Sequence, residues 1–312
     1  MNEQITLSIK EKAFELGFDA IGIAPATPVS EDIRLSFDKW INQNGNAGMS
    51  YMENYHDKRM NPQLLVDGAK SVIVVALNYY PSTIQDSKQP QISYYAYGED
   101  YHEVIKEKLN SLYTYINSDL IEINGRCFVD TAPVLERYWA AQSGIGFIGK
   151  SNLLIIPQKG TFFFLGLLII DKELIYDQPL KRSCGNCSKC IDHCPTKALT
   201  PYYLDSNKCI SYLTIENKEE IPASISTQIG NHLYGCDVCQ LVCPWNRFAT
   251  ATKISAFSPK EIILKIDNQI LEEMQQSDFS SYFKGSPIKR AKFAGLKRNW
   301  ECIRPNFHSE VR

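Results

Sequence analysis

The chain has 312 residues, which is long enough for two domains. Hydrophobic residues make up 44% and charged residues 22%, which is ordinary for a soluble globular protein, and the net charge of −2 excludes a polycation. The longest apolar stretch, Phe162 to Ile170, is far too short to span a bilayer and is interpreted as a buried strand.

Apolar residues recur with helical or strand spacing through the first 175 residues. Helices are predicted at 3–16, 31–43, 100–118 and 133–142. Strands are predicted at 19–24, 71–78, 126–130, 152–156 and 162–170. This alternation predicts one α/β domain over residues 1–175.

The apolar periodicity stops near residue 180, where the cysteines begin. Residues 180–250 contain no long periodic segment, so bound clusters would hold much of this region together. Beyond it, Ser258 as N-cap and Pro259 as first residue predict a helix that continues to about Met274. We therefore predict three parts. They are an α/β domain at 1–175, a ferredoxin-like domain at 176–250, and a helical and basic segment at 251–312.

Eight of the ten cysteines form two groups with the spacing of a double iron–sulfur protein. The first group reads C-x2-C-x2-C-x3-C-P, which is the ligand run of bacterial ferredoxins. The second reads C-x2-C-x3-C-P, with one more cysteine upstream. In two-cluster ferredoxins the cysteine before the proline ligates the other cluster. We therefore assign Cys184, Cys187, Cys190 and Cys243 to one [4Fe–4S] cluster, and Cys194, Cys209, Cys236 and Cys239 to the second.

Two other interpretations of these cysteines are weaker. Residues 1–18 carry charges throughout and no apolar export signal, so we expect a cytoplasmic protein whose thiols stay reduced rather than form disulfides. Zinc is a better rival, but zinc sites usually use two separated cysteine pairs. Cys127 and Cys302 receive no role, because a lone cysteine is usually a small buried hydrophobe.

Residues 144–151, GIGFIGKS, match two phosphate-binding patterns, G-x-G-x-x-G and G-x-x-x-x-G-K-S. Both patterns require a strand before the loop and a helix after it, because the helix N-terminus binds the phosphate. Here a predicted helix precedes the loop and a predicted strand follows it. A P-loop ATPase is therefore disfavoured. What remains is a glycine-rich loop with backbone N–H groups and Lys150, which suits an anionic or amide-rich cofactor.

Asp130 stands at the C-terminal end of a short predicted strand, just before a predicted helix. Ligand-facing residues of α/β sheets collect at such strand ends. If shielded from water, this carboxyl would have a raised pKa and could donate a proton at neutral pH. The alternative is that Asp130 or Thr131 caps the following helix. The local sequence alone favours the cap.

The last 29 residues, from Lys284 to Arg312, carry eight basic and two acidic residues. A segment of this charge often contacts phosphate. The alternative is a solvated helix end, and the sequence by itself does not favour either interpretation.

Taken together, several motifs resemble the epoxyqueuosine reductases in the order of that family. They are YAYGEDYH (95–102), DTAPVLERYWAAQSGIGFIGKSNLLI (130–155), CGNCSKCIDHCPTKAL (184–199), CISYLTIE (209–216), GCDVCQLVCPWN (235–246) and GSPIKR (285–290). The resemblance implies a cobalamin-dependent, double-[4Fe–4S] oxidoreductase related to reductive dehalogenases. Such enzymes remove the epoxide oxygen of epoxyqueuosine at the tRNA wobble position, through cob(I)alamin fed by the clusters, in the last step of queuosine biosynthesis.

The resemblance also implies roles for individual residues. Asp130 matches the family's proposed proton donor. With the resemblance, this role outweighs the interpretation of Asp130 as a helix cap. Cofactor contacts are carried over to Asp130, Lys150, Ser151, Asn152, Ser211 and Asp237. Contacts to tRNA are expected at Lys218, Lys289 and Arg290. His102 begins a D-x-H-x-x-G cobalamin pattern, but Ile105 stands where glycine is required. We therefore expect cobalamin without a histidine ligand from the protein.

Longer members of the family continue into a helical-repeat domain, whereas this sequence stops at Arg312. We expect a short-form, monomeric enzyme with a low-potential electron donor and no membrane partner. Three alternatives remain. One is a reductive dehalogenase-like enzyme on a small substrate, although such enzymes usually carry a twin-Arg signal that is absent here. The others are an electron-transfer ferredoxin and a P-loop reductase.

Overall fold

Strand β2, Ser71–Asn78, is buried at every position and forms the centre of the fold. Its run of β-branched residues explains why it forms a strand, and its predicted bounds are confirmed. In the computed structural model, which describes residues 2–308, it pairs with β1 (Ala20–Pro25) and β7 (Phe163–Ile170). Strand β4 (Gly125–Phe128) pairs with β7 and completes a four-stranded sheet of order β1-β2-β7-β4, in which every pairing is antiparallel.

The other elements surround this sheet or the cysteine region. Further strands are β3 (Gln91–Ile92), β5 (Phe147–Ile148), β6 (Leu154–Ile155), β8 (Leu199–Thr200), β9 (Tyr203–Leu204) and β10 (His232–Tyr234). Helices of the first half are α1 (Asn2–Glu15), α2 (Glu31–Asn42), α3 (His56–Met60), α4 (Tyr101–Tyr115) and α5 (Glu136–Gln142). Helices of the second half are α6 (Lys189–Asp192), α7 (Ile210–Ile215), α8 (Ala223–Ser226), α9 (Val238–Leu241), α10 (Glu261–Lys265), α11 (Asn268–Glu273), α12 (Gln276–Tyr282), α13 (Lys292–Ile303) and α14 (Pro305–His308).

The two faces of the sheet bury two different cores, because neighbouring strand residues point to opposite sides. Ile73, Val75 and Leu77 pack with apolar residues of α1 and α4. Val72, Val74 and Ala76 pack with Trp139 and Ala140 of α5 on the opposite face. The sheet is therefore covered on both sides, and the end of β4 lies between α4 and α5.

A third core joins the C-terminal helices to the cysteine region. It contains Trp300, Leu296 and Phe283 together with Tyr234 of β10 and Tyr97. Strand β10 also pairs in parallel with β3, which belongs to the first half of the chain. The segment after residue 250 is thus packed against the rest of the molecule, and the three-part division remains a prediction.

The predicted helix from Ser258 to Met274 is wrong in its start and its continuity. The helix α10 begins at Glu261 with Lys260 as its N-cap, so Ser258 is not the cap. Ile266 is extended and buried, and the side chain of Asp267 accepts a hydrogen bond from Ile270 N at 2.9 Å. This cap starts a separate helix, α11, because a side-chain acceptor satisfies one of its unpaired N–H groups.

The predicted helix at 133–142 is also shorter than expected. The helix α5 begins only at Glu136, so residues 129–135 form a loop. Among residues 2–308, no helix is both long enough and apolar enough to cross a membrane.

Gly22 gives a direct test of the packing between β1 and α5. A Cβ atom at Gly22 would lie 2.1 Å from the carbonyl oxygen of Ser143, and backbone cannot move aside cheaply. We expect Gly22→Ala to lower the free energy of unfolding by about 1–3 kcal/mol, measured by urea denaturation. The matched control is Gly295→Ala in α13, where the new Cβ makes an ordinary 3.5 Å contact. The control is expected to leave stability unchanged or raise it by about 0.5–1 kcal/mol. Equal effects of the two substitutions would contradict this packing.

Candidate active site and iron–sulfur region

Asp130 lies in the loop after β4, in a left-handed backbone conformation that is uncommon for a residue with a side chain. Its φ is +51°, a left-handed value that costs energy in any residue except glycine. Its carboxylate accepts a hydrogen bond from the hydroxyl of Tyr101 at 2.5 Å. Its backbone N–H donates to Oε1 of Glu136 at 2.6 Å. Two specific contacts therefore hold this strained residue in place.

The residues facing Asp130 come from the first turn of α4. Asp100 caps this helix by accepting from the backbone N–H of His102 at 3.1 Å, and it also contacts Nδ1 of that histidine at 2.7 Å. Nε2 of His102 lies 3.7 Å from the Asp130 carboxylate. The ring of Tyr101 stacks on Phe164 of β7 at 4.2 Å. The cap and the stacking orient both side chains toward the loop that carries Asp130.

The charges in this cluster differ from the sequence expectation of a raised Asp130 pKa. Partial burial acts to raise the pKa of Asp130, but the nearby His102 and the hydrogen bond from Tyr101 outweigh it and lower the pKa. Burial acts to lower the pKa of His102, but its contacts with Asp100 and Asp130 raise it to about 9. At neutral pH the cluster therefore contains an aspartate beside an imidazolium, whose Nε2 lies 3.7 Å from the carboxylate. The condition for a raised pKa is not met, because 60% of the Asp130 side chain is accessible.

The helix-cap interpretation of Asp130 and Thr131 does not agree with the structure. The helix α5 starts at Glu136, and its N-cap Leu135 makes no side-chain capping bond. The Glu136 carboxyl lies beside Asp130, and burial followed by the Asp130 charge raises its pKa to about 8. The next residue, Arg137, donates a hydrogen bond to the backbone oxygen of Asn152. The arginine thus connects the first turn of α5, next to Asp130, to the residue that follows the glycine-rich loop.

The glycine-rich loop contacts the first cysteine run through Lys150. Its Nζ donates to the carbonyl oxygens of Gly185 at 2.7 Å and Cys187 at 3.0 Å. Its backbone N–H points to Sγ of Cys184 at 3.4 Å. Lys150 and Ser151 both line a cavity that Cys184 also lines. Asn152 has a left-handed φ of +62°. The loop therefore lies between Asp130 and the first cysteine run.

Four of the cysteines line one cavity, and they are the four assigned to the first cluster. The cavity is bounded by Cys184, Cys187, Cys190 and Cys243 together with Lys150 and Trp245. Burial raises the pKa of Cys243, and the nearby thiols of Cys184, Cys190 and Cys187 raise it further. Cys243, the last cysteine of the second run, therefore lies with the first three cysteines of the first run.

The other four cysteines also approach one another. Burial raises the pKa of Cys236 to about 12, and the nearby thiols of Cys209 and Cys194 contribute to the increase. Cys239 has a raised pKa from burial and then from Cys236 and Cys209. Across residues 2–308, no group of three or more His, Cys, Asp or Glu side chains is arranged to hold a single metal ion.

Ser211 and Asp237 lie beside this second set but have different surroundings. The backbone N–H of Ser211 acts on the Cys209 thiol and lowers its pKa, against the larger effect of burial. Asp237 is buried, which raises its pKa to about 6, and it accepts from Tyr94 N at 2.7 Å and Gln240 Nε2 at 3.1 Å. Its carboxylate therefore satisfies groups of the protein itself.

The basic C-terminal segment begins next to the active-site cluster. The backbone oxygen of Gly285 accepts from Asp100 N at 2.8 Å, at the start of α4. Lys289 and Lys218 are exposed. Arg290 forms two 2.9 Å hydrogen bonds with Glu216 and lies over the ring of Tyr51 at 6.0 Å. Arg312 and Glu310, which were counted in the charge of this segment, lie outside the described residues.

Part of the basic segment has a structural role. The guanidinium of Arg298 donates to the backbone oxygens of Leu213 and Asn217 at 2.8 and 2.7 Å. Arg304 lies 3.6 Å from Glu272. These two side chains, like Arg290 with Glu216, bind other parts of the chain, so the net charge of the segment overstates the charge that it can offer to phosphate.

Sequence reasoning gave no role to Tyr101, Glu136 or Arg137. Each lies inside a motif that carried the family resemblance, YAYGEDYH or DTAPVLERYW. That position was the only available signal. Their approach to Asp130 depends on the packing of α4 and α5 against opposite faces of the sheet.

Comparisons with known proteins agree with these features. Residues 59–131 match the family model "Epoxyqueuosine reductase QueG, DUF1730", and residues 183–246 match the "4Fe-4S double cluster binding domain". An epoxyqueuosine reductase of Cellulophaga algicola is 47% identical over 298 residues, which are 95% of this chain and 97% of that protein.

Solved structures give the same result. An epoxyqueuosine reductase crystallised with an epoxyqueuosine-modified tRNA-Tyr stem loop has a TM-score of 0.86 and 31% identity, over 97% of this chain and 82% of that one. The Bacillus subtilis enzyme, solved with its catalytic aspartate loop swung out of the active site, has a TM-score of 0.86 and 30% identity, with the same coverage. A reductive dehalogenase shares the fold at a TM-score of 0.50 and 14% identity, over 98% of this chain and 38% of that one. Because the Cellulophaga algicola enzyme is 47% identical over nearly the whole of both chains, the protein belongs to the epoxyqueuosine reductase family.

Proposed function

We propose that this protein reduces epoxyqueuosine to queuosine at the wobble position of tRNA. One arrangement carries the proposal: a charged cluster around Asp130 is joined to the first cysteine run by the loop at residues 150–152. A proton-holding group and a candidate electron carrier thus lie on two sides of one loop. The family match and the tRNA stem loop held by a structural neighbour support the same substrate.

The reaction needs both parts of this arrangement. Removing the oxygen of an epoxide to leave an alkene consumes two electrons and two protons and releases water. We propose that the electrons come from an external low-potential donor and pass one at a time through two [4Fe–4S] clusters. The proposed ligands are the two sets of four thiols described above, with Lys150 holding the loop of the first set through Gly185 and Cys187.

Cobalamin is the cofactor that we propose between the clusters and the substrate, where it would supply a strongly reducing, nucleophilic centre. His102, the histidine beside Asp130, fits the expectation that no protein histidine ligates the cobalamin. Nδ1 of His102 is engaged by Asp100 and Nε2 faces Asp130, and both carboxylates keep the ring protonated at neutral pH. A protonated imidazole cannot bind a metal. We propose that the loop residues Lys150, Ser151 and Asn152 would help to hold the cobalamin, although the Lys150 ammonium and the Asp237 carboxylate already bind groups of the protein itself.

Asp130 and His102 are proposed to deliver the proton that the leaving oxygen needs. The two side chains hold one dissociable proton between them, and Tyr101 fixes the orientation of the carboxylate. When substrate and cofactor exclude water, an ion pair is destabilised relative to a neutral pair, which favours transfer of the proton to Asp130. The resulting acid can then protonate the substrate oxygen.

The substrate nucleic acid is proposed to approach along the basic segment next to α4. Lys289, Arg290 and Lys218 are the proposed tRNA contacts, and Gly285 ties this segment to Asp100 at the active-site cluster. We further propose that the protein acts as a monomer, as the sequence analysis expected.

The test is an anaerobic turnover assay with reconstituted clusters, cobalamin, a low-potential reductant and tRNA containing epoxyqueuosine. Mass spectrometry of the digested nucleosides is expected to show loss of one oxygen atom from the modified base. Absence of this loss, with both cofactors verified by absorbance, would overturn the tRNA assignment. A halogenated aromatic substrate in the same assay would then test the small-molecule alternative.

Lys289 gives a separate prediction about nucleic-acid binding. Its exposed ammonium is expected to contact phosphate, so Lys289→Ala should weaken binding of an anticodon stem loop and reduce the slope of log K against log salt by about 1. Fluorescence anisotropy over a range of salt concentrations measures both quantities. Lys172→Ala is the matched control, because Lys172 follows the end of β7 away from the active-site cluster. An unchanged slope for Lys289→Ala would contradict the proposed contact.

A further inference from the structure

Glu136 makes the one contact that joins the backbone of Asp130 to a regular element of the fold among the described residues. Its Oε1 accepts the Asp130 backbone N–H at 2.6 Å, across six positions of sequence. Glu136 is the first residue of α5, whose Trp139 and Ala140 are buried against the sheet. The carboxyl that receives this hydrogen bond is therefore attached to a firmly packed helix.

Val129 and Val134, on either side of Asp130, are buried in the two cores of the sheet, so the part of the loop that is left to be held lies between them. The remaining backbone hydrogen bonds of residues 129–135 are short-range ones, from Thr131 N to Val129 O, from Val134 N to Ala132 O and from Trp139 N to Leu135 O, and none of them involves Asp130. Asp130 itself has a φ of +51°. A residue with a side chain relaxes from this conformation unless its surroundings hold it there. Without the Glu136 contact, rotation of the Asp130 backbone would carry its carboxylate away from Tyr101 and His102.

We propose that Glu136 is a positioning residue. Through the hydrogen bond to the Asp130 amide, it holds the Asp130 loop in its inward conformation, in which the carboxylate faces Tyr101 and His102. The inference rests on the proposed function only in that Asp130 is taken as the proton donor. The part that concerns the loop is a statement about the protein alone. Glu136 acts through Asp130 and needs no contact with the substrate.

The charges around Glu136 are compatible with this role. Asp130, Arg137 and His102 are the charged groups that act on it, and burial with the Asp130 charge raises its pKa to about 8. At neutral pH the carboxyl is mostly protonated, and its carbonyl oxygen still accepts the amide hydrogen. A neutral Glu136 also avoids repulsion with the Asp130 carboxylate, so the contact keeps the loop inward without opposing the charge that it positions.

Two substitutions separate the accepting oxygen from the shape of the side chain. Glu136→Gln keeps an oxygen in the same place, whereas Glu136→Met keeps a similar shape and removes the acceptor. In the turnover assay with the reconstituted enzyme, Gln is expected to keep kcat within about threefold, and Met to lower it by about 10- to 100-fold with little change in KM for tRNA. Glu107→Met on the exposed surface of α4 is the control for the substitution itself.

Hydrogen–deuterium exchange gives a readout that does not require activity. In the cluster-loaded protein without tRNA, peptides covering 129–135 are expected to exchange faster in Glu136→Met than in the wild type, and at the wild-type rate in Glu136→Gln. Unchanged exchange in both variants would overturn the positioning role, even if kcat falls. If Gln and Met accelerate exchange equally, an accepting oxygen at position 136 is not what holds the loop, and the proposal also fails. Lack of wild-type turnover would overturn the proposed function and leave the exchange result to decide the role of Glu136.

Discussion

Replacing Asp130 with asparagine is expected to lower the deoxygenation rate by about 100- to 10,000-fold, which is the usual contribution of a positioned general acid. The amide has nearly the same shape and can still accept a hydrogen bond from Tyr101, so the loop should keep its conformation. Asparagine cannot release a proton, however, and the leaving oxygen would have to be protonated by water. Single-turnover measurements on tRNA containing epoxyqueuosine, with oxygen loss followed by mass spectrometry, give this rate.

The same substitution should change the titration of His102, and this distinguishes loss of the acid from general damage. The pKa of His102 is raised to about 9 by Asp100 and Asp130. Removing the Asp130 charge should lower it toward the ordinary value of about 6.5. Because the folded pKa is above the unfolded one, these contacts stabilise the fold fully below pH of about 6.5, and the effect is lost as the pH rises through about 9. Asp130→Asn should therefore flatten the stability profile between these limits.

One result would contradict this assignment, and another would show that the substitution does not test it. If Asp130→Asn deoxygenates the substrate at the wild-type rate, another group supplies the proton, and Asp130 is only a structural residue of its loop. If the rate falls but the exchange of the 129–135 peptides rises, the substitution has released the loop and the rate says nothing about acidity. The Glu136→Met variant provides the reference for a released loop.

The main elements of residues 1–175 could be predicted because their sequence signals are local. Strand β2 consists of consecutive β-branched and apolar residues, and its bounds were predicted to the residue. The helix from Ser258 to Met274 was predicted as continuous because its apolar spacing is helical on both sides of Ile266. The break there depends on the burial of Ile266 and on the cap provided by Asp267, which the periodicity does not reveal.

The active-site cluster shows the same limit. Asp130 could be singled out from its position after a strand, but the direction of its pKa shift could not be predicted from the sequence. Its pKa is lowered because Tyr101 and His102 come from a helix that starts 29 residues earlier and packs on the other side of the sheet end. Local sequence gave Asp130 as a helix cap, and the structure instead places the first residue of α5 six positions later. A pKa depends on neighbours in space, so it follows only from the folded chain.

Cys243 provides the sharpest test of the iron–sulfur region, because its position in the sequence and its position in space point to different clusters. By sequence it belongs to the second run, yet it lines a cavity with Cys184, Cys187 and Cys190. We expect Cys243→Ser to deplete the same cluster as Cys184→Ser does. Iron content should fall from about eight atoms per chain toward about four, and turnover should be lost because electrons no longer reach the active site.

Electron paramagnetic resonance of the reduced protein can identify which cluster remains. The Cys243→Ser and Cys184→Ser variants should show the same residual signal, and Cys194→Ser should share a different residual signal with Cys239→Ser. Cys127→Ser is the control, since that thiol lies in β4 and not among the two sets. Matching signals for Cys243→Ser and Cys239→Ser would mean that each cluster is bound by its own run. In that case the electron path proposed from Lys150 and the first run would have to be redrawn, because the cavity next to the active-site loop would then hold a different set of ligands.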